Sequence, residues 1–115
     1  MVSFQTFWDR LKLELRTLPS KDGTHFGKVK KWSKKRGFFD TEFVFLYRGG
    51  NVIDCATDKT DNSRPVSQAE FGKVYKVWSR YVSGSIPRTH IVHELGVQNA
   101  TWIIPILKHY ESLMD

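Results

Sequence analysis

Apolar residues recur at a helical interval through the first eighteen positions. Phe4, Phe7, Trp8, Leu11, Leu15 and Leu18 fall on one stripe, Ser3 precedes it with a hydroxyl able to cap the first turn, and Pro19 cannot continue it. The spacing predicts a helix over about 4–18. Turn-forming residues, SKDGTHFG, follow at 20–27. A strand over about Phe26 to Ser33 is expected ahead of Gly37, although its alternation is poor. TEFVFLYRGGNVIDCAT (41–57) then places two β-rich runs on either side of Gly49-Gly50, the composition of a tight hairpin. A two-residue loop there pairs Leu46 with Ile53 and Val44 with Cys55. The opposite face would carry Phe43, Phe45 and Tyr47, so a sheet covered on both sides is expected.

DKTDNSR (58–64) reads as a polar loop. Ser67-Gln68-Ala69-Glu70 matches a capping box, and Phe71, Val74, Tyr75, Trp78, Tyr81 and Val82 continue a helical stripe to the Ser83-Gly84-Ser85 stop. Lys73, Lys76 and Arg80 would form a basic ridge on its outer side. A short helix over about 88–95 should end at Gly96. Asn99 can cap a last helix that turns Trp102, Ile103, Ile106, Leu107, Tyr110 and Leu113 inward. Pro105 interrupts that helix, which should kink or begin later than Asn99. The fold class expected is α+β, a single domain over 1–115. It would join a small antiparallel sheet to an N-terminal helix and a C-terminal three-helix unit resembling a helix-turn-helix.

Composition changes this picture at one place. The 115 residues hold 18 Lys plus Arg against 12 Asp plus Glu, and KVKKWSKKR (28–36) holds six of the positive charges and none of the negative ones. The remainder is therefore balanced, 12 against 12. A locally concentrated surplus is the electrostatic footprint of a polyanion site rather than of a generally basic surface. Lys28, Lys30, Lys31, Lys34, Lys35 and Arg36 can neutralise successive phosphates, and Trp32 can stack on an unpaired base. The same run also reads as a solvated loop with Trp32 as its core anchor.

RTHIVHELGVQNATWIIPIL (88–107) resembles a helix-turn-helix, with Gly96 at the turn and Val97 buried. Lys73, Lys76, Arg80 and Arg88 would extend the positive surface if their ridge lies beside 28–36, and the helix-turn-helix resemblance implies Gln98 and Asn99 near base edges and Lys108 on a phosphate. It also leaves Thr101, Ile104, Pro105, Lys108 and Ser112 facing outward. Ile104 and Pro105 would then make an apolar spot suited to a homodimer or another protein contact. From the opening aromatic helix to the HELGVQNATWIIPIL ending, the order of pieces is similar to that of small bacterial integron cassette proteins, a resemblance that assigns no residue a role.

Enzymatic chemistry finds little support. His90, His93 and Glu94 lack a third imidazole or thiolate for zinc. Glu42, Asp54, Asp58 and Asp61 form no metal-nuclease pattern. His25 beside the lysines is the one candidate for a small metal-independent ribonuclease. Neither a cofactor, a catalytic residue nor a metal is assigned. The lone Cys55, the absence of a signal-like N-terminus and the shortness of every apolar run lead to the expectation of a cytoplasmic protein outside membranes. Nucleic-acid binding without catalysis is the leading reading, a protein-interaction module the second, the ribonuclease the third.

Overall fold

The first stripe forms helix α1 (Phe4–Leu15) in the computed structural model, which describes residues 1–57 and 63–115. Ser3 Oγ accepts from the Thr6 amide at 3.2 Å, and Phe7, Trp8, Leu11 and Leu15 are buried. Five strands follow: β1 (Ser20–Lys21), β2 (Thr24–Ser33), β3 (Gly37–Tyr47), β4 (Val52–Ala56) and β5 (Arg64–Ser67). They make one antiparallel sheet in the order of the chain. Helices α2 (Gln68–Lys76) and α3 (Trp78–Val82), a π turn (His90–Glu94), α4 (Ala100–His109) and a 3-10 turn (Glu111–Met114) complete an α+β fold. The expected polar loop at 58–64 lies largely outside the described residues, as do Asp58 and Asp61.

The hairpin is offset by one residue from the sequence expectation. Val44 pairs with Ala56, Phe45 with Cys55 and Leu46 with Asp54. Because side chains alternate, that offset exchanges the faces. Phe43, Phe45, Tyr47, Ile53 and Cys55 all point into the core at 2% exposure or less. The cause is the loop. In this register Arg48 stands opposite Val52, so Asn51 joins Gly49 and Gly50 in the connection. Asn51 is held there from three sides: its side-chain oxygen accepts from Trp8 Nε1 at 3.0 Å and Lys12 Nζ at 3.4 Å, and its carbonyl from the Gln68 amide at 2.9 Å.

The opposite face does not have the double cover expected. Phe26, Lys28, Lys30, Glu42 and Val52 there are exposed, and Val44, Leu46 and Asp54 half-buried. On the covered face Gly27 is a place where only glycine fits. A Cβ would lie 2.6 Å from Phe45 Cζ and 3.2 Å from Leu18 Cδ1, so the Phe45 ring occupies the side-chain position of its cross-strand partner. Cys55 sits in the same layer. Burial, with the Asp54 charge adding, pushes its thiol up to about 12, which keeps it protonated and inert at neutral pH.

The predicted helix over 68–82 divides at buried, β-branched Val77, whose backbone (φ −109°, ψ 7°) leaves the helical region. Ser67 Oγ caps α2 by accepting from the Glu70 amide at 3.4 Å. Glu70 does not close the capping box; its carboxylate accepts from Asn99 Nδ2 at 2.8 and 3.0 Å. Asn99 is thereby buried and makes no side-chain cap on α4. Gly96 is left-handed (φ 67°), as its place after the short turn requires. The turn itself is a π turn, closed by Leu95 N–H to His90 O at 3.1 Å, rather than the α-helix expected over 88–95.

Helix α4 is the centre of the core. Ile103, Ile104, Pro105, Ile106 and Leu107 are buried at consecutive positions, because the helix lies between β2 on one side and α2 on another. A helix apolar around its whole circumference belongs inside. It starts at Ala100, with no delayed start on account of Pro105. The outward Ile104/Pro105 surface, and with it the homodimer contact expected there, does not exist: Ile104 is 0% exposed and Pro105 buried. Of this helix only Thr101 and His109 are exposed, with Trp102 and Lys108 half-buried, so the outward row expected for a recognition helix is reduced to its two ends. No described helix is long and apolar enough to cross a membrane.

Candidate nucleic-acid interface

The basic run is not a loose loop. Residues 28–33 lie in β2 and 34–36 form the turn into β3, where the Arg36 amide donates to Ser33 Oγ at 3.2 Å. Lys28 pairs with Val44 and Lys30 with Glu42. Strand alternation puts Lys28 and Lys30 on the uncovered face in line with Phe26, which is 42% exposed, and Val29 in the core. Lys35 and Arg36 are exposed at the turn, with the Arg36 guanidinium 5.9 Å from the Phe39 ring. Lys31 is half-buried. Between Lys30 and Trp32 the register shifts: Lys30 faces Glu42 but Trp32 faces Phe38, so β3 spends more residues than β2 on the step. Phe38, beyond the shift, is 49% exposed.

Trp32 serves chiefly as the anchor of this hairpin. Its half-buried ring packs 6.3 Å from that of Trp78, and Lys108 Nζ stands 5.1 Å from it on α4. Trp78 in turn neighbours Tyr81 at 5.9 Å and donates from Nε1 to Glu111 at 2.9 Å. Lys34 lies over the Tyr81 ring at 4.3 Å and donates to the Ile86 carbonyl at 3.3 Å. Burial pushes the Tyr81 phenol up, and the charge of Arg88 opposes that shift. The turn of the basic run is thus fastened to α3 and the segment after it by cation–π and aromatic contacts, each contributing about 0.5–1 kcal/mol or more.

The remaining candidates divide. Lys108 pairs with Glu111 at 2.9 Å, and Arg88 donates to Thr101 Oγ1 at 2.9 Å. Gln98 is exposed, whereas Asn99 is turned inward to Glu70 and presents nothing to a base edge. Lys73, Lys76 and Arg80 are exposed on α2 and α3, but no described contact joins the Lys73 and Lys76 side chains to the basic run. His25 does not join the lysines either. It belongs to the other face of β2, with Nδ1 2.9 Å from the Leu18 carbonyl, so the expected ribonuclease pairing is not assembled. His90 pairs with Glu94 at 3.0 Å, and among the described residues no group of three or more His, Cys, Asp or Glu is placed to hold a metal.

Among the described residues, concavities lie elsewhere, of which two concern charge. The larger, about 650 Å³, opens between α3 and the 3-10 turn and carries Glu111 and Asp115, an acidic lining that repels a polyanion. The smaller, about 220 Å³, lies between the end of α1 and the β3–β4 loop and is basic. Sequence reasoning missed it because its two arginines, Arg16 and Arg48, are 32 positions apart in the chain and no local charge cluster marks either. Comparison with known proteins finds no matching family model, no matching curated protein and no matching solved structure.

Proposed function

We propose that this protein binds nucleic acid without catalysis, and that it takes single strands on the β2–β3 hairpin. The observation that carries the reading is the row Phe26, Lys28, Lys30 on an uncovered strand face, continued by Lys35 and Arg36 at a turn fastened to the helices. A strand holds its side chains about 6.6 Å apart on one face, close to the spacing of phosphates along an extended strand of nucleic acid. Exposed Phe26 and Phe38 offer rings to unpaired bases, a contact worth about 1–3 kcal/mol per base and closed to bases already paired in a duplex. Burial of Ile104 and Pro105 within α4 favours the hairpin over that helix as the contact surface. Glu42, opposite Lys30, opposes binding locally and limits the affinity.

Fluorescence anisotropy with a labelled single-stranded oligonucleotide and its duplex, titrated with salt, tests this. With four phosphates engaged, the logarithm of affinity for the single strand should fall with a slope of about −2.8 against the logarithm of salt, some fiftyfold between 50 and 200 mM. The duplex should bind more weakly at every salt concentration. Equal or tighter duplex binding, or no salt dependence, would overturn the reading.

A further inference from the structure

We infer that the outer edge of β2 is a docking site for an extended acidic peptide, which adds a strand to the sheet beside residues 26–30. On this side the sheet ends at β2 except for β1, whose two residues pair only with Thr24 and His25. Past them the Phe26 amide donates to the Pro19 carbonyl at 3.0 Å, and Pro19, which has no N–H, cannot return the bond. The β1 ladder stops there.

That bond also gives the direction of the groups that follow. Phe26 turns its amide away from β3, and alternate residues of a strand point their backbone groups to the same side, so Lys28 and Lys30 do likewise. Gly27 and Val29 are then the residues that exchange bonds with Phe45 and Phe43. The Phe26 carbonyl, both backbone groups of Lys28 and the Lys30 amide have no hydrogen-bond partner among the described residues. Helix α4 does not fill this edge. Its Trp102 and Tyr110 rings reach Phe43 and Phe45 on the covered face of β3, at 5.1 and 6.4 Å between centroids, so it runs beneath the sheet. A row of unpaired N–H and C=O groups at strand spacing is the template that an added strand completes.

Charge selects the occupant. An added strand stands its alternate side chains beside Phe26, Lys28 and Lys30, all exposed on the uncovered face, and acidic residues complement the two lysines. A second copy of β2 over the same residues would set lysine against lysine, the means by which edge lysines keep like sheets apart. The inference does not rest on the nucleic-acid reading. A peptide uses the backbone edge and an oligonucleotide the side chains, so the two compete for Lys28 and Lys30 but leave different marks on the amides.

The test is amide hydrogen exchange on the intact protein, followed by NMR, alone and saturated with a short capped peptide in which Glu alternates with Thr. In the free protein the Lys28 and Lys30 amides should exchange fast and those of Gly27 and Val29 slowly. Saturation should slow Lys28 and Lys30 about tenfold or more. N-methylating all the Glu amides or all the Thr amides removes donors from opposite edges of the peptide strand. One pattern should therefore weaken binding about tenfold or more and the other leave it unchanged, and a peptide with Lys in place of Glu should bind at least about tenfold more weakly. Slow exchange at Lys28 and Lys30 in the free protein, saturation without added protection, equal effects of the two methylation patterns, or equal binding of the Lys peptide would overturn the proposal. Protection that rises with protein concentration in the absence of peptide would overturn it too, by giving the edge to a second copy.

Discussion

Ile104→Asp should fail to fold. The side chain it replaces is 0% exposed in a helix enclosed by β2 and α2. A carboxylate there has no cation or donor waiting, since Ile104 belongs to the hydrophobic core and every buried side-chain polar atom among the described residues already has a partner. Burying an unpaired charge costs about 4–5 kcal/mol or more, comparable with the whole stability of a domain of this size, about 5–15 kcal/mol. Thermal unfolding followed by circular dichroism should show no cooperative transition, whereas Ile104→Val, which removes one methyl, should lose about 0.5–1.5 kcal/mol and melt cooperatively. Had Ile104 lain on an exposed dimer surface, the aspartate would leave the melt intact and alter only the association state.

Replacing Lys28, Lys30, Lys35 and Arg36 together by Glu should have the largest effect on binding. These four side chains are exposed and make no ion pair or hydrogen bond among the described residues. Lys34 is left in place because it holds the turn to Tyr81 and Ile86, and Lys31 because it is half-buried. Four phosphate contacts on a single strand correspond to between three and four orders of magnitude in affinity between 50 mM and 1 M salt, by the roughly 0.7 counterions released per contact. Reversal forfeits all of that at low salt and adds repulsion. Surface substitutions of this kind change stability by about 0.5 kcal/mol each, so the variant should still melt cooperatively. Retained affinity in a folded variant would show that the basic run is not the site. Loss of the transition itself would show instead that these residues support the fold.

The sequence disclosed α1, the start of α2, the turn at Gly96 and the hairpin around Gly49-Gly50, because each rests on a local rule: a cap, a stripe, a left-handed glycine. It also localised the charge. It misplaced the hairpin register because two glycines suggested a two-residue loop, while the third loop residue, Asn51, is fixed by Trp8 from a distant helix. The same distance effect hid the role of Asn99, which reads as a cap and acts as the partner of Glu70. Helix α4 did carry a signal. WIIPIL is apolar at every position, a pattern that marks an enclosed helix, and the stripe reading divided it into an inner and an outer face. Trp32 could be read as an anchor within the charged run from its residue type; which partners hold it, Trp78 and Lys108, could not, because only the folded chain brings them near.

The most direct measurement is an amide chemical-shift footprint of a short single-stranded oligonucleotide on the intact protein. Shifts should concentrate on residues 26–30 and 35–38, where exposed rings and exposed cations share the β2–β3 hairpin, and α4 should stay silent. A footprint on Gln98 and α4, or none along the hairpin at low salt, would contradict the assignment of this surface.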